Sequence, residues 1–260
     1  MRNTGGMQRD GDGAAGGGGS GDALSRARGE RWLPDRPVTS IDAAAGYIAD
    51  VGFCLLFPGP RAVAPSLWEA VAGPDAVPFA EGMGPAESQV WTWKDELPKA
   101  GLAWYGTFVH GRASLLCPRL LAALYPGAGE PTDHQALTLP EHAHRIAEAL
   151  LSGPLPSAAL RQIIGHRGRY DRAILALQRH LLVTSAGVRQ HRTGWPATVI
   201  DLTCRLFQVG AGPDHPYAAD RFLDTMIQPT PTELTRIYGW PAATARTELH
   251  TALERGPRRA

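Results

Sequence analysis

Two tryptophans separated by a single residue stand beside a run of three charges in Trp91-Thr92-Trp93-Lys94-Asp95-Glu96-Leu97. Indole rings stack on planar π-systems, and a nucleobase taken out of a duplex needs such a platform next to the group that acts on it. A carboxylate in that place can take a proton from water as a general base. The segment thus makes Trp91 and Trp93 candidates for stacking a substrate, and Asp95 and Glu96 candidates for activating water. The same residues also fit a core strand anchored by its tryptophans and followed by an exposed charged turn. Side chains alternate along a strand, so Trp91 and Trp93 would then share one face while Thr92 points to the other.

A second concentration of chemistry is basic. Between Ser152 and Arg192 come Arg161, Arg167, Arg169, Arg172, Arg179, Arg189 and Arg192, against one acidic residue, Asp171; His166, His180 and His191 add donors. Phosphates favour this imbalance, because each one neutralised releases condensed counterions. The whole chain carries a formal net charge of only +1, so a positive surface must come from placement and not from total charge. Lys94 and Lys99 are the only lysines. In so arginine-rich a composition, position tells more than number. A solvated basic face on a protein-interaction module is the competing reading.

Other chemistries find little support. His142 and His144 are two apart on an expected helix and point in different directions, HExxH is absent, and His134 and His215 have no local partners. No metal and no other cofactor is expected. Cys54, Cys117 and Cys204 are widely spaced without a CxxC, which fits free thiols in a reducing compartment. No GxSxG elbow occurs, and the Gly16–Gly19 run lacks the following GK[ST] of a phosphate loop. The longest apolar run, Val51 to Phe57, is stopped by Pro58, far short of the ~20 residues of a membrane span. The start lacks the basic-then-apolar order of a secretion signal, so a cytoplasmic location is expected.

These residues need elements to hold them. Residues 1–30 are Gly-rich with few apolar side chains and are expected to be a disordered tail. Residues 31–133 read as an α/β region: a helix capped by Ser40, a buried run at Phe53–Phe57, a short helix capped by Ser66, a loop over 75–88, the Trp-Lys-Asp-Glu segment, a strand from Trp104 and a short helix from Pro118. Gly127–Asp133 reads as a linker. Residues 134–194 have the order helix, helix, turn, helix, hairpin of a winged helix. Thr138 and Glu141 look like a capping box there, and Ala186-Gly187 looks like the hairpin turn. In residues 195–260, Val199–Phe207 is expected to be helical, and a second capping box, Thr230 with Glu233, opens a second helix-turn-helix, read as a possible repeat of the first. The fold class expected is mainly α with small β wings, in a tandem winged-helix or helix-turn-helix architecture.

From about Trp32 to Ser185 the sequence resembles the AlkZ-related (YcaQ-type) winged-helix proteins. Four blocks carry the resemblance: Ala45–Pro58, Pro65–Val71, Trp93–Leu97, and the winged helix ending at Leu182. It implies a winged-helix scaffold and double-stranded DNA as partner, alkylated or crosslinked, since characterised members are glycosylases that unhook alkylated bases and interstrand crosslinks. Those glycosylases position water with two polar residues around an apolar one, typically Gln-x-Gln, and no Gln-x-Gln occurs here. Three functions stay open: a DNA-binding, repair-associated protein without that motif; an active hydrolase on alkylated DNA using Asp95 or Glu96; and a protein-interaction module or small-molecule enzyme on the same scaffold.

Overall fold

A computed structural model describes residues 18–59, 64–74, 76–189 and 196–256. The elements follow in chain order: α1 (Gly18–Trp32), α2 (Ile41–Val51), β1 (Phe53–Leu55), α3 (Leu67–Ala72), α4 (Pro85–Lys99), β2 (Trp104–Thr107), β3 (Ala113–Leu116) and α5 (Pro118–Leu124). Then come α6 (Glu141–Leu150), β4 (Leu155–Pro156), α7 (Ser157–Ile164), α8 (Arg167–Arg179), β5 (Val183–Arg189), β6 (Ala197–Leu202), α9 (Thr203–Leu206), α10 (His215–Thr225), α11 (Pro231–Tyr238) and α12 (Ala242–Arg255). The fold is mainly helical, with two small antiparallel sheets in the orders β1-β3-β2 and β4-β6-β5.

Those two sheets belong to one topology used twice. The first run is α2, β1, α3, α4, β2, β3; the second is α6, β4, α7, α8, β5, β6; in both, the last strand lies in the middle of the sheet. The exits of α4 and α8 match bond for bond. Gly101 N donates to Pro98 O (3.0 Å) and Leu102 N to Leu97 O (2.9 Å); eighty positions on, Leu181 N donates to Gln178 O (2.9 Å) and Leu182 N to Leu177 O (3.0 Å). Gly101 and Leu181 both take positive φ, 69° and 58°. This geometry costs a leucine energy that glycine escapes; Leu181 is held there with its side chain buried. Side-chain patterns alone point to a possible repeat at 195–260. The matching topology lies upstream, and among the described residues no strand follows α12.

The two units face each other. α4 lies against β5, α8 against β2, and β2 against β5. The outer amides of β2 are met by side chains from the second unit: Tyr105 N donates to Thr184 Oγ1 (3.1 Å), and Thr107 N to Gln178 Oε1 (2.9 Å). An unpaired strand edge is thereby closed. The C-terminal helices close the other side. Arg221 donates to Ala49 O (2.9 Å), and Tyr238 meets Phe53 and Phe108 at ring distances of 6.1 and 6.4 Å.

Several local expectations are corrected. The stretch from Gly18 to Glu30 is helical and not a disordered tail, and α1 is tied down by an Arg28–Glu69 ion pair and by Trp32 Nε1 donating to Thr225 O (2.7 Å). The Trp91–Glu96 segment is helix and not strand: Val90, Trp93, Lys94 and Leu97 are buried at helical spacing. That helix begins at Pro85, inside the stretch expected to be loop. Pro140, not Thr138, is the cap of α6, and no side chain caps it. Ala186-Gly187 is no turn but an irregularity within β5, where the register with β6 shifts between Ser185 and Val188. Residues 197–202 are strand and only 203–206 helix. Gly127–Asp133 is fixed by the Asp133 carboxylate, which accepts from the amides of Ala128, Gly129 and Glu130. The caps at Ser40, Ser66 and Thr230 are present as expected.

Candidate functional site

Helix α4 starts with Pro85 in its first turn, where the missing N–H costs nothing, and Glu87 lies close by. The Glu87 carboxylate accepts from Phe79 N (3.0 Å), and this amide, followed by its own, holds the carboxyl below the usual carboxylate range. Burying Val90, Trp93 and Leu97 then turns Trp91, Thr92, Glu96 and Lys99 outward. These four, with Lys94 and Asp95, form one wall of a cleft of about 640 Å³; Gly187, Val188, Pro196 and Thr198 of the β5–β6 hairpin form the other. Gly187 has φ 104°, and a Cβ there would stand 3.1 Å from Lys99 Cδ, so a glycine lets the strand come this close to α4.

Polar groups in the cleft are tied to one another. Lys94 Nζ lies 2.5 Å from Asp95 Oδ2, and Ser185 Oγ donates to Asp95 Oδ1 at 2.7 Å. The same ammonium sits 4.7 Å from the Trp91 ring centroid and 5.7 Å from that of Tyr105. Burial, and after it the Asp95 carboxylate, pushes the Tyr105 phenol up to about 12. Both oxygens of Asp95 are thus committed, and the residue is only 6% exposed. Glu96 is the exposed carboxylate on this wall.

The predicted pair of stacking rings is split by the helix. Trp91 is 48% exposed and lines the cleft; Trp93 is 6% exposed, belongs to the core and does not line it. Two residues on a helix are roughly 200° apart, against the shared face they would have on a strand. Lys94 and Ser185 were not foreseen as site residues. The signal for Lys94 was its position three after Trp91, which places an ammonium beside an indole once the segment is helical.

The basic residues occupy a different surface. Arg161, Arg167, Arg169, Arg172, Arg179 and Arg189 are all exposed; Arg192 lies outside the described residues. Helix α8 buries Tyr170, Ala173 and Leu177. Gly168, Arg172, Leu175 and Arg179 recur at spacings of four, three and four on its outward stripe, with Arg169 at one edge. Arg167 pairs with Asp171 at 3.8 Å, an exposed contact that contributes little. The Arg161 guanidinium lies 5.3 Å from the Tyr170 ring centroid. None of these arginines lines the Trp91 cleft; Arg179 borders a separate one of about 400 Å³.

Among the described residues no group of three or more His, Cys, Asp or Glu side chains is placed to hold a metal ion, and no helix is long and apolar enough to cross a membrane. No curated protein and no solved structure matches the chain. A family model described as AlkZ related matches residues 38–224, from the residues before α2 into α10 and so across both topological units and the Trp91 cleft. The chain belongs to the AlkZ-related family.

Proposed function

We propose that this protein binds double-stranded DNA through residues 141–202, which we read as a winged helix, and that it serves DNA repair in the cytoplasm. One observation carries the reading: the arginines of α7, α8 and β5 are exposed, and the sole acidic residue between Ser152 and Arg189 is Asp171. Arg169, Arg172 and Arg179 lie on the outward side of α8, the third helix of its unit, which in a winged helix enters the major groove. Arg161, Arg167 and Arg189 flank it and would hold phosphates, contacts that position a protein without reading sequence. Membership of the AlkZ-related family supports the link to repair and to alkylated or crosslinked DNA.

The test is duplex binding across a salt series in a gel-shift or anisotropy assay. Affinity is expected to fall as salt rises, with a log–log slope of about −0.9 for each phosphate neutralised. Absence of binding at micromolar protein and low salt would end this reading.

The Trp91 cleft favours a second reading, a hydrolase acting on alkylated bases. Here Trp91 stacks the extruded base, Glu96 activates water, and Asp95 keeps Lys94 beside the ring. Its test is abasic-site formation on alkylated duplex, with Glu96→Gln expected to abolish it. Equal activity in that variant would dismiss the role of Glu96.

A further inference from the structure

The arginine stripe of α8 runs into a second cleft that the proposed DNA contact does not explain. This space of about 400 Å³ is bordered by Arg179 and His180 at the end of α8, by Phe108, by His215 at the start of α10, and by Tyr238 and Trp240. Tyr238 and Trp240 lie beyond the family-matched residues. Three rings at the edge of the core back it in sequence, Phe108 to Tyr238 at 6.4 Å and Tyr238 to Trp240 at 5.3 Å; each is less than a tenth exposed, Trp240 the most at 9%. The half-buried His215 ring stands 4.5 Å from that of Trp240. No carboxylate borders the cleft, whereas one guanidinium and two imidazoles do.

A helix C-terminus normally repels an anion, through its free carbonyls. Here three of the last four carbonyls of α8 are occupied. Ala176 O accepts from His180 N (3.2 Å) and from His180 Nδ1 (2.9 Å), while Gln178 O and Leu177 O accept from Leu181 N and Leu182 N. The bond to Ala176 places the His180 proton on Nδ1 and leaves Nε2 as the ring's remaining polar atom. An aromatic wall with one guanidinium and two imidazoles at its rim and no acidic group matches one ligand chemistry, a planar base bearing a phosphate.

We infer that this cleft binds a single nucleotide, its base against the Trp240–His215 wall and its phosphate on Arg179. The inference rests on the DNA-binding reading for the source of that nucleotide. Arg172 and Arg179 lie two turns apart on one stripe, about 10 Å along the axis, so a strand held by the stripe is led to the cleft. The nucleotide is therefore one that has left its pairing in the bound duplex.

The experiment compares, for the full chain, an intact duplex with the same duplex carrying one unpaired nucleotide, and adds a titration with adenosine monophosphate. His215→Ala removes a wall, and Pro213→Trp fills the mouth from an exposed position that leaves the core untouched. The unpaired duplex is expected to bind about tenfold tighter, the order of one base–aromatic stack. Both variants are expected to lose that preference while keeping the intact-duplex affinity. Binding of the free nucleotide that both variants abolish, without any duplex preference, would assign the cleft to a soluble nucleotide. A preference that survives both variants, or the absence of both preference and nucleotide binding, overturns the inference. Either result leaves intact-duplex binding, and with it the proposed function, to be judged separately.

Discussion

The Lys94–Asp95 pair is the residue-scale feature with the clearest energetic consequence. Both side chains are nearly buried and 2.5 Å apart, and Ser185 completes the second oxygen of the carboxylate. Removing one partner leaves the other charged and unpaired, which costs about 3–5 kcal/mol. Lys94→Met is expected to lower stability by that order in urea unfolding, and Lys94→Met with Asp95→Leu to recover most of it. A loss under ~1 kcal/mol in the single variant would show that solvent reaches the pair, since exposed pairs contribute no more than that. Glu87 gives a pH prediction. Its folded carboxyl lies below the ordinary value because the Phe79 amide bonds the charged form. A depressed carboxyl contributes stability that is present above its unfolded pKa and is lost as pH falls through the folded one. Thermal melts between neutral and acid pH are therefore expected to fall less steeply for Glu87→Gln than for the parent; parallel curves would contradict the assignment.

At the scale of elements, α4 shows what sequence could and could not reveal. The chemistry-bearing residues at 91–96 were legible, because aromatic and charged types in one short run stand out in any conformation. Their secondary structure was not. Trp-Thr-Trp has strand preferences and a period of two, and the helical set Val90, Trp93, Lys94, Leu97 was masked by a lysine inside it. A buried ion pair with Asp95 lets that lysine occupy a core-facing position, and a single-residue pattern cannot display a partner. The consequence is measurable. Trp93→Ala is expected to cost about 3–5 kcal/mol, as core tryptophans do, and the half-exposed Trp91→Ala far less. Equal costs would return the segment to a strand with both rings on one face. By contrast, the existence of α8 and the exposure of its arginines were legible, but its start and its inward face were not: the helix already begins at Arg167, ahead of Tyr170, and Leu175, which apolarity alone would turn inward, is 38% exposed.

Across the whole molecule, the duplication of one helix–strand topology decides which surfaces remain free. The third helix of each unit lies against the second strand of the other. In the first unit that places α4 along β5 with the Trp91 cleft between them; in the second, α8 meets β2 on one side and still turns its arginines outward. The sequence displays the repeat only faintly: Leu97 and Leu102 recur as Leu177 and Leu182, but Gly101 and Leu181 stand at the same left-handed turn. Likeness of side chains points downstream instead, where two capped helices offer an easier match. The proposed DNA contact thus belongs to one unit of the pair. Anisotropy with a labelled duplex at fixed low salt tests it most directly, comparing Arg169→Glu with Arg172→Glu against the charge-matched control Arg236→Glu with Arg246→Glu, exposed on α11 and α12. The α8 variant is expected to bind at least ~100-fold more weakly, because two cations of the groove-facing helix are removed and like charge takes their place, while the control stays close to the parent. Equal weakening in both would mean that only overall charge matters, and undiminished binding in the α8 variant would remove α8 from the interface.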